Sequence, residues 1–368
     1  MSTHDSTPDI PKTHKACVYD KPGSCSIAVQ DVPTPEPGVG EVLIKLTHSG
    51  ICHSDYGIMV NGWHHLPAKT IPGQVGGHEG VGHIVKLGEG SEKAGLKVGD
   101  RVGIKWVASA CLACPPCTEG LEGVCFNQTI SGYMTPGTFQ QYVLGPANYV
   151  TPVPDSIPGE LAAPMLCAGL TTYSALRKSG AAPGQWVAIS GAGGGLGTVA
   201  TSLAAQGMGF RVVGIDMPSK RAAVLESGAE HFIDLTAFDD KGLGDEVKRL
   251  TGLGASAVIV CAASNRAYAQ AFPMLRFGGT LVCVGIPEGD AVAIAGAAPG
   301  PIIGLHHKIV AATVGNRREA VEVLEMATRG IVKFPVRTVG MGALQSVFEE
   351  MGRGELVGRV VMDLSSVG

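Results

Sequence analysis

The first stretch of the chain is built from short apolar runs broken by turns. EVLIKLTH (41–48), GVGHIVKLG (80–88) and GDRVGI (99–104) read as strands, and Pro/Gly punctuation such as PTPEPGVGE separates them. From about Lys15 to Gly103 this predicts a compact β-barrel-like lobe, with residues 1–14 as a polar, mobile arm. After SGYMTPGTFQQYV the pattern changes. An Ala/Leu-rich helical stretch begins near Pro158, followed by a strand (187–190), a Gly-rich turn, a helix (195–207) and a strand (211–215) ending at Asp216. Further strand-like runs at 257–261, 280–285 and 308–315 alternate with helical patterns, which is how a doubly wound parallel sheet is written in sequence. NRREAVEVLEMATRG reads as a helix, and the segment through ELVGRVVMD is expected to return to the first lobe. The class is α/β. The domains are expected at 1–164, with a small lobe near 107–128, then 165–307, then the returning 308–368. No internal repeat or low-complexity tract interrupts them.

Composition supports two well-packed domains. The chain has 368 residues, more than one small core serves, and 45% hydrophobic against 16% charged residues leaves ample material to bury. The 53 glycines make tight turns and close backbone approaches common. A net charge of −4 gives no electrostatic case for nucleic acid or an acidic membrane surface. The opening MSTHDSTPDIPKTH has no apolar core of a secretory leader, the C-terminal SSVG carries no readable address, and AVAIAGAAPGPIIGL is too short and too Pro-broken to span a bilayer. A reducing, cytoplasmic setting follows, with most of the ten cysteines kept as thiols for metal.

Two groups of cysteines carry chemistry. Cys111, Cys114, Cys117 and Cys125 can close a tetrahedral site without tertiary help, and a fully occupied shell is structural. An iron–sulfur cluster also suits four thiolates, although the spacing matches neither common ferredoxin run. The other group is dispersed: Cys52 in CHSD, His78 in GGHEGVG and Cys167 in APMLCAGLTTY. Two thiolates and one imidazole leave a fourth zinc position open, and Ser54, Asp55 and Glu79 supply the surrounding hydroxyl and carboxylates. Against this stands the plain possibility that such scattered residues never meet. Cys17, Cys25, Cys261 and Cys283 have no assigned role beyond packing.

The turn SGAGGGLG lies between strand and helix, where backbone N–H groups and a helix N-terminus meet a pyrophosphate. Gly194 and Gly197 fill the second and third positions of the G-x-G-x-x-G fingerprint, but the first is Ala192. Asp216 stands where a carboxylate grips ribose hydroxyls, which favours NAD, while Lys220 and Arg221 keep NADP open.

Taken together, CHSD, VGGHEGVG, GIKW, the four-cysteine lobe, SGYMTPGTFQQY, CAGLTTY, WVAISGAGGGLG, GIDMPSKR and VGRVVMD make the chain resemble the zinc-dependent medium-chain alcohol dehydrogenases, nearest the yeast and fungal ethanol type. The open Cys2His set is the arrangement for which these dehydrogenases are themselves the type example. The resemblance implies a GroES-like β-barrel catalytic domain with a Rossmann domain, NAD, one catalytic and one structural zinc, and a homotetramer or dimer. It implies that Cys52, His78 and Cys167 hold the catalytic metal, with Glu79 as its neighbour. Asp55 would orient His78, and Ser54 would take the substrate proton. His53, Thr171, Gly193, Gly194, Gly195, Leu196, Gly197, Asp216, Lys220, Val284, Ile286 and Arg359 would contact the cofactor, and Trp63 and Trp106 would line the pocket. Members of this kind also carry Ala at the first fingerprint position. The implied reaction is reversible oxidation of a short primary alcohol to an aldehyde. A polyol or secondary-alcohol dehydrogenase, a zinc-free reductase of the superfamily and an inactive structural zinc protein are the other readings. Two features depart from the ethanol type: Gly57 stands where a relay histidine is usual, and the loop NGWHHLPAKTIPGQV is longer.

Overall fold

The computed structural model describes residues 9–365. Two sheet systems divide the chain. In the first lobe the strand Glu41–Ile51 is central: it pairs antiparallel with Gly80–Leu87, with Tyr142–Pro146 and, near its end, with Arg359–Asp363. Arg101–Ile104 and Thr151–Pro152 on one side, and Val336–Val339 beside Arg359–Asp363 on the other, complete this seven-stranded sheet. A three-stranded sheet of Ile27–Pro33, Thr13–Tyr19 and Gln74–Val75 packs beside it. Tyr19, Ile44, Ile58, Phe139 and Phe348 close a core between the two. Arg359–Asp363, near the C-terminus, therefore belongs to the first lobe's sheet.

The polar-arm expectation is corrected at its far end. Residues 1–8 lie outside the described part, as do the last three of SSVG. Thr13 and His14 belong to the first strand, and His14 is buried with its ring on Gln140 and Thr34 at 3.0 Å each. Ile10 packs on Leu43, Val85 and Tyr142. Apolar contact holds this part down despite its polar sequence.

The second lobe is a six-stranded parallel sheet in the order His231–Asp234, Arg211–Asp216, Trp186–Ser190, Ala255–Val260, Leu275–Cys283, Lys308–Ala311. Its central strands, WVAIS and ASAVIV, are almost continuously apolar and buried, as a sheet covered on both faces requires. The last strand pairs parallel with Leu275–Cys283, so the sheet runs to Ala311, past residue 307. Four residues, not eight, form this edge strand. The Gly195–Ser202 helix passes into a π-helical turn, Leu203–Gly207.

Between the lobes runs one interrupted helix: Gly159–Pro164, a π-helical turn Met165–Gly169, then Leu170–Lys178. Pro164 cannot donate to the helical ladder, and the turn after it is widened. Cys167 lies in that turn.

Candidate active site

Each residue of the dispersed group arrives on a different element. Cys52 is the N-cap of the helix His53–Met59. His78 sits just before the strand Gly80–Leu87, after Gly77, whose φ of +93° only glycine adopts freely. Cys167 comes from the π-turn. The ligand atoms of Cys52, His78, Glu79 and Cys167 lie within 4.8 Å of one another, and all four residues are buried. His78 Nε2 is 3.2 Å from Cys167 Sγ.

The remaining contacts aim these groups inward. Asp55 Oδ1 is 2.8 Å from His78 Nδ1, which directs Nε2 into the cluster. The same carboxylate accepts the Gly77 and Cys52 N–H groups at 3.1 and 3.2 Å. Glu79 pairs with the buried Arg359 guanidinium. Gly50 is required beside it, because a Cβ there would lie 1.8 Å from Glu79 Oε2.

The cluster is electrostatically tense. Its contact with Cys167, then His78 and Arg359, holds the Cys52 thiol well below the usual range, and the same contact pushes Cys167 well above it. Burial favours a neutral His78, but Asp55 and Cys52 outweigh it and raise its pKa. Burial lifts the Glu79 carboxyl to about 7 against the pull of Arg359. Soft donors crowded this closely in a buried site fit a divalent cation, which would take the place of those protons. Zinc suits the donor set.

A cavity of about 410 Å³ opens from this cluster to the Gly-rich turn. Cys52, His53, Ser54, Cys167, Thr171, Gly194, Gly195, Leu196, Gly197, Asp216, Lys220, Val284, Ile286 and Arg359 line it, with Trp63 and Trp106. Asp55, His78 and Glu79 are buried and do not line it. Gly193 stands just behind: its N–H donates to Asp216 Oδ2 at 2.7 Å, and its Cα packs on Lys220. The buried Arg359 Nε has no partner among the described residues, and Arg359 Nη1 lies 3.1 Å from where a Gly195 side chain would begin. An unpaired cationic donor at a helix N-terminus fits an anionic cofactor group. Arg359 thus faces both Glu79 and the turn.

Sequence reasoning missed Gly191. It carries the positive φ, +78°, of the turn, and Gly197 is fixed because a Cβ there would lie 2.0 Å from the Gly191 carbonyl. The tight-turn glycine stands one residue before Ala192, a signal readable from SGAG once strand pairing places the turn. Thr313, Val314, Met351 and Leu356 also line the cleft, brought there by chain return that no local pattern reveals.

The departures have a structural counterpart. A Cβ on Gly57 would lie 3.3 Å from Trp63 Cε2, so the indole of the long loop covers the place where a relay histidine would stand. His65 stacks on Trp63 at 5.8 Å, and His64 pairs with Asp290 instead. Trp106 meets His78 edge-on at 4.9 Å and Trp63 at 6.3 Å, so two indoles wall the metal end.

The four remaining cysteines meet on their own lobe, with ligand atoms again within 4.8 Å. Cys125 Sγ is 3.5 Å from Cys111 Sγ and 3.8 Å from Cys114 Sγ, too long for disulfides. Backbone N–H groups of Cys111, Cys114 and Asn127 donate to these sulfurs at 3.3–3.4 Å, and the N–H groups of Ala113 and then Cys114 hold the Cys111 thiol down at about 6. A larger cleft of about 760 Å³, between this lobe and Arg317, offers no thiol, imidazole or Gly-rich turn.

Comparison with known proteins agrees with this geometry. Residues 38–155 match the alcohol dehydrogenase GroES-like domain, and residues 195–329 match the zinc-binding dehydrogenase domain. The chain is 59% identical to alcohol dehydrogenase 2 of Emericella nidulans, over 97% of this chain and 99% of that one. The chain belongs to the zinc-binding alcohol dehydrogenase family. Among solved structures, the alcohol dehydrogenase of Aeropyrum pernix aligns at TM-score 0.84 with 28% identity, covering 95% of this chain and 99% of that one. The acetophenone reductase of Geotrichum candidum, solved with NAD, aligns at TM-score 0.82 with 26% identity, covering 98% and 100%. Both family domains meet at the cleft described above.

Proposed function

We propose that this dehydrogenase oxidises short primary alcohols to aldehydes, reversibly, with hydride transfer to NAD. The observation that carries the reading is the juxtaposition, in one cavity, of Cys52–His78–Cys167 with the Gly-rich turn and Asp216. Cys52, His78 and Cys167 would hold zinc, which supplies Lewis-acid polarisation of the substrate oxygen and makes its deprotonation feasible near neutral pH. Asp55 keeps the His78 ring oriented, and Glu79 stays available beside it on Arg359. Ser54, whose Oγ is 3.7 Å from Cys52 Sγ, receives the hydroxyl proton and passes it outward. With Gly57 covered by Trp63, water takes over from Ser54, so turnover should lack a histidine-like ionisation near 6.5. Loss of such an ionisation on replacing His64 or His65 would contradict this path.

Asp216, the turn 193–197, His53 and Arg359 would hold the cofactor. NAD is favoured over NADP because the Asp216 carboxylate, at the end of the second strand, would meet the ribose and repel a 2′-phosphate. Arg221 is turned onto the Phe232 ring, 5.3 Å away, and does not line the cleft. A second, structural zinc would sit on Cys111, Cys114, Cys117 and Cys125. The crowded pair Trp63 and Trp106 favours small primary alcohols over polyols. All ten cysteines are free thiols, in keeping with a reducing, cytoplasmic setting, and no helix among the described residues is long and apolar enough to cross a membrane. A homotetramer is proposed from the resemblance to the fungal enzymes.

The deciding experiment measures zinc per chain together with NADH formation from ethanol and from longer and secondary alcohols. Two zincs with ethanol-dependent NADH support the reading. One zinc and no turnover would hand it to an inactive structural protein.

A further inference from the structure

The long loop that carries Trp63 does not stand alone at the cleft mouth. It is stitched to the 287–290 turn, which follows the last-but-one strand of the parallel sheet on the opposite lobe. The Gly289 N–H donates to the Gly62 carbonyl at 3.0 Å, and Trp63 and Gly289 pair as an isolated parallel β-bridge. His64 Nδ1 is 3.0 Å from Asp290 Oδ1. Gly62 leaves just enough room for the facing carboxylate, since a Cβ there would lie 3.3 Å from Glu288 Cδ. Gly289, at φ +82°, makes the turn that presents its N–H.

These contacts hold the backbone on both sides of Trp63. Trp63 is 7% exposed, and its Nε1 has no hydrogen-bond partner among the described residues. The indole therefore has no polar anchor of its own. Packing on Gly57, His65 and Trp106 and the backbone pairing with Gly289 fix its position. A large ring held by backbone rather than by its own N–H moves when that backbone moves.

We propose that the 287–290 turn is a positioning element for the alcohol pocket: by pairing with Gly62 and Trp63 across the cleft, it fixes the Trp63 indole and so sets the length of primary alcohol admitted. The proposal rests on the alcohol-oxidising reading above. Substrate selectivity is then written partly on the nucleotide-binding lobe, by residues that touch neither substrate nor metal. His64, Asp290 and Gly289 act through Trp63.

The test uses the zinc-loaded, full-length enzyme and compares kcat/KM for 1-hexanol and ethanol. Trp63→Ala removes the wall and raises the hexanol-to-ethanol ratio on the order of tenfold, as added room for methylenes does. Gly62→Ala, which displaces Glu288, and Asp290→Ala, which frees His64, each raise the ratio a few-fold in the same direction. The change lies mainly in KM, because ground state and transition state lose the same contact. Combined with Trp63→Ala, neither adds anything further, the signature of residues acting through one ring. An unmoved ratio in Gly62→Ala and Asp290→Ala, beside a clear shift in Trp63→Ala, overturns the proposal while leaving the alcohol reading intact. So does an unmoved ratio in Trp63→Ala itself. Absence of NADH from every alcohol with the unaltered enzyme overturns both.

Discussion

The two cysteine sites solve the same coordination problem in opposite ways. The four-cysteine site takes all its ligands from residues 111–125, on short turns and partly exposed, with backbone N–H groups aimed at the sulfurs. The other gathers Cys52, His78 and Cys167 from an N-cap, a glycine turn and a π-turn, and buries them completely among carboxylates and a guanidinium. The local site needs only its own loop. The dispersed one exists only if both lobes are folded and packed. A metal closed by four sulfurs would have nothing left to offer a substrate, whereas one held by Cys52, His78 and Cys167 would keep a position open toward the cavity. On the proposed function, the difference would make one a brace and the other a reaction centre.

Breaking the dispersed site has the largest expected effect. His78→Ala should release one of the two zincs proposed per chain. Because the Lewis acid is worth several kcal/mol of barrier, kcat should fall by roughly 10³ or more. Metal analysis with steady-state kinetics decides. Retention of both metals at full rate would remove His78 from the ligand set. The mirror experiment is Cys117→Ser in the lobe. It should also release one zinc, but its cost falls on stability: Tm drops on the order of 5–10 °C while activity at 20 °C stays within about threefold. Equal loss of rate and metal would mean that the two centres are not independent.

A smaller effect tests how the reaction centre is held. Asp55→Asn keeps the shape but loses the charge facing His78 Nδ1, which is 2.8 Å away. Zinc affinity or turnover should fall by about 10–100-fold. Zinc titration against a chelator would show it. A wild-type affinity would reduce Asp55 to capping the Gly77 and Cys52 N–H groups.

The same contrast explains what could be read from the chain. Cys111-x2-Cys114-x2-Cys117 announces itself because its geometry is local. The βαβ order and Asp216 were legible because a buried parallel sheet demands long apolar runs and a glycine turn. By residue spacing alone, Cys167 was an apolar-helix cysteine. Only the π-turn after Pro164, fixed by packing between lobes, aims it at His78. Resemblance to a known family supplied that connection. Two details escaped both routes. Gly191 rather than Ala192 makes the turn, and Gly57 lies under the Trp63 ring, because each depends on which atoms meet in space.

The subtlest expected effect lies between the two sites. Lys105 and Trp106 are consecutive: Trp106 turns to His78, and Lys105 turns to the lobe, donating to the Tyr149 carbonyl at 2.8 Å. Tyr149 in turn donates to Glu122, which also binds the Arg317 side chain at 3.1 Å. Burial pushes the Lys105 ammonium down to about 7, only partly offset by Glu122. Between pH 7 and the ordinary lysine range, the unfolded chain therefore binds one proton more than the folded one, and stability rises with pH across that window. Below about 7 both states carry the charge, and its burial cost is fully present. Lys105→Met removes this slope, so its Tm relative to wild type should be most favourable near pH 6 and decline steadily toward pH 10. A pH-independent difference would show that Lys105 stays charged in the fold, so that the link between the two sites is a charged ammonium on the Tyr149 carbonyl rather than a neutral amine.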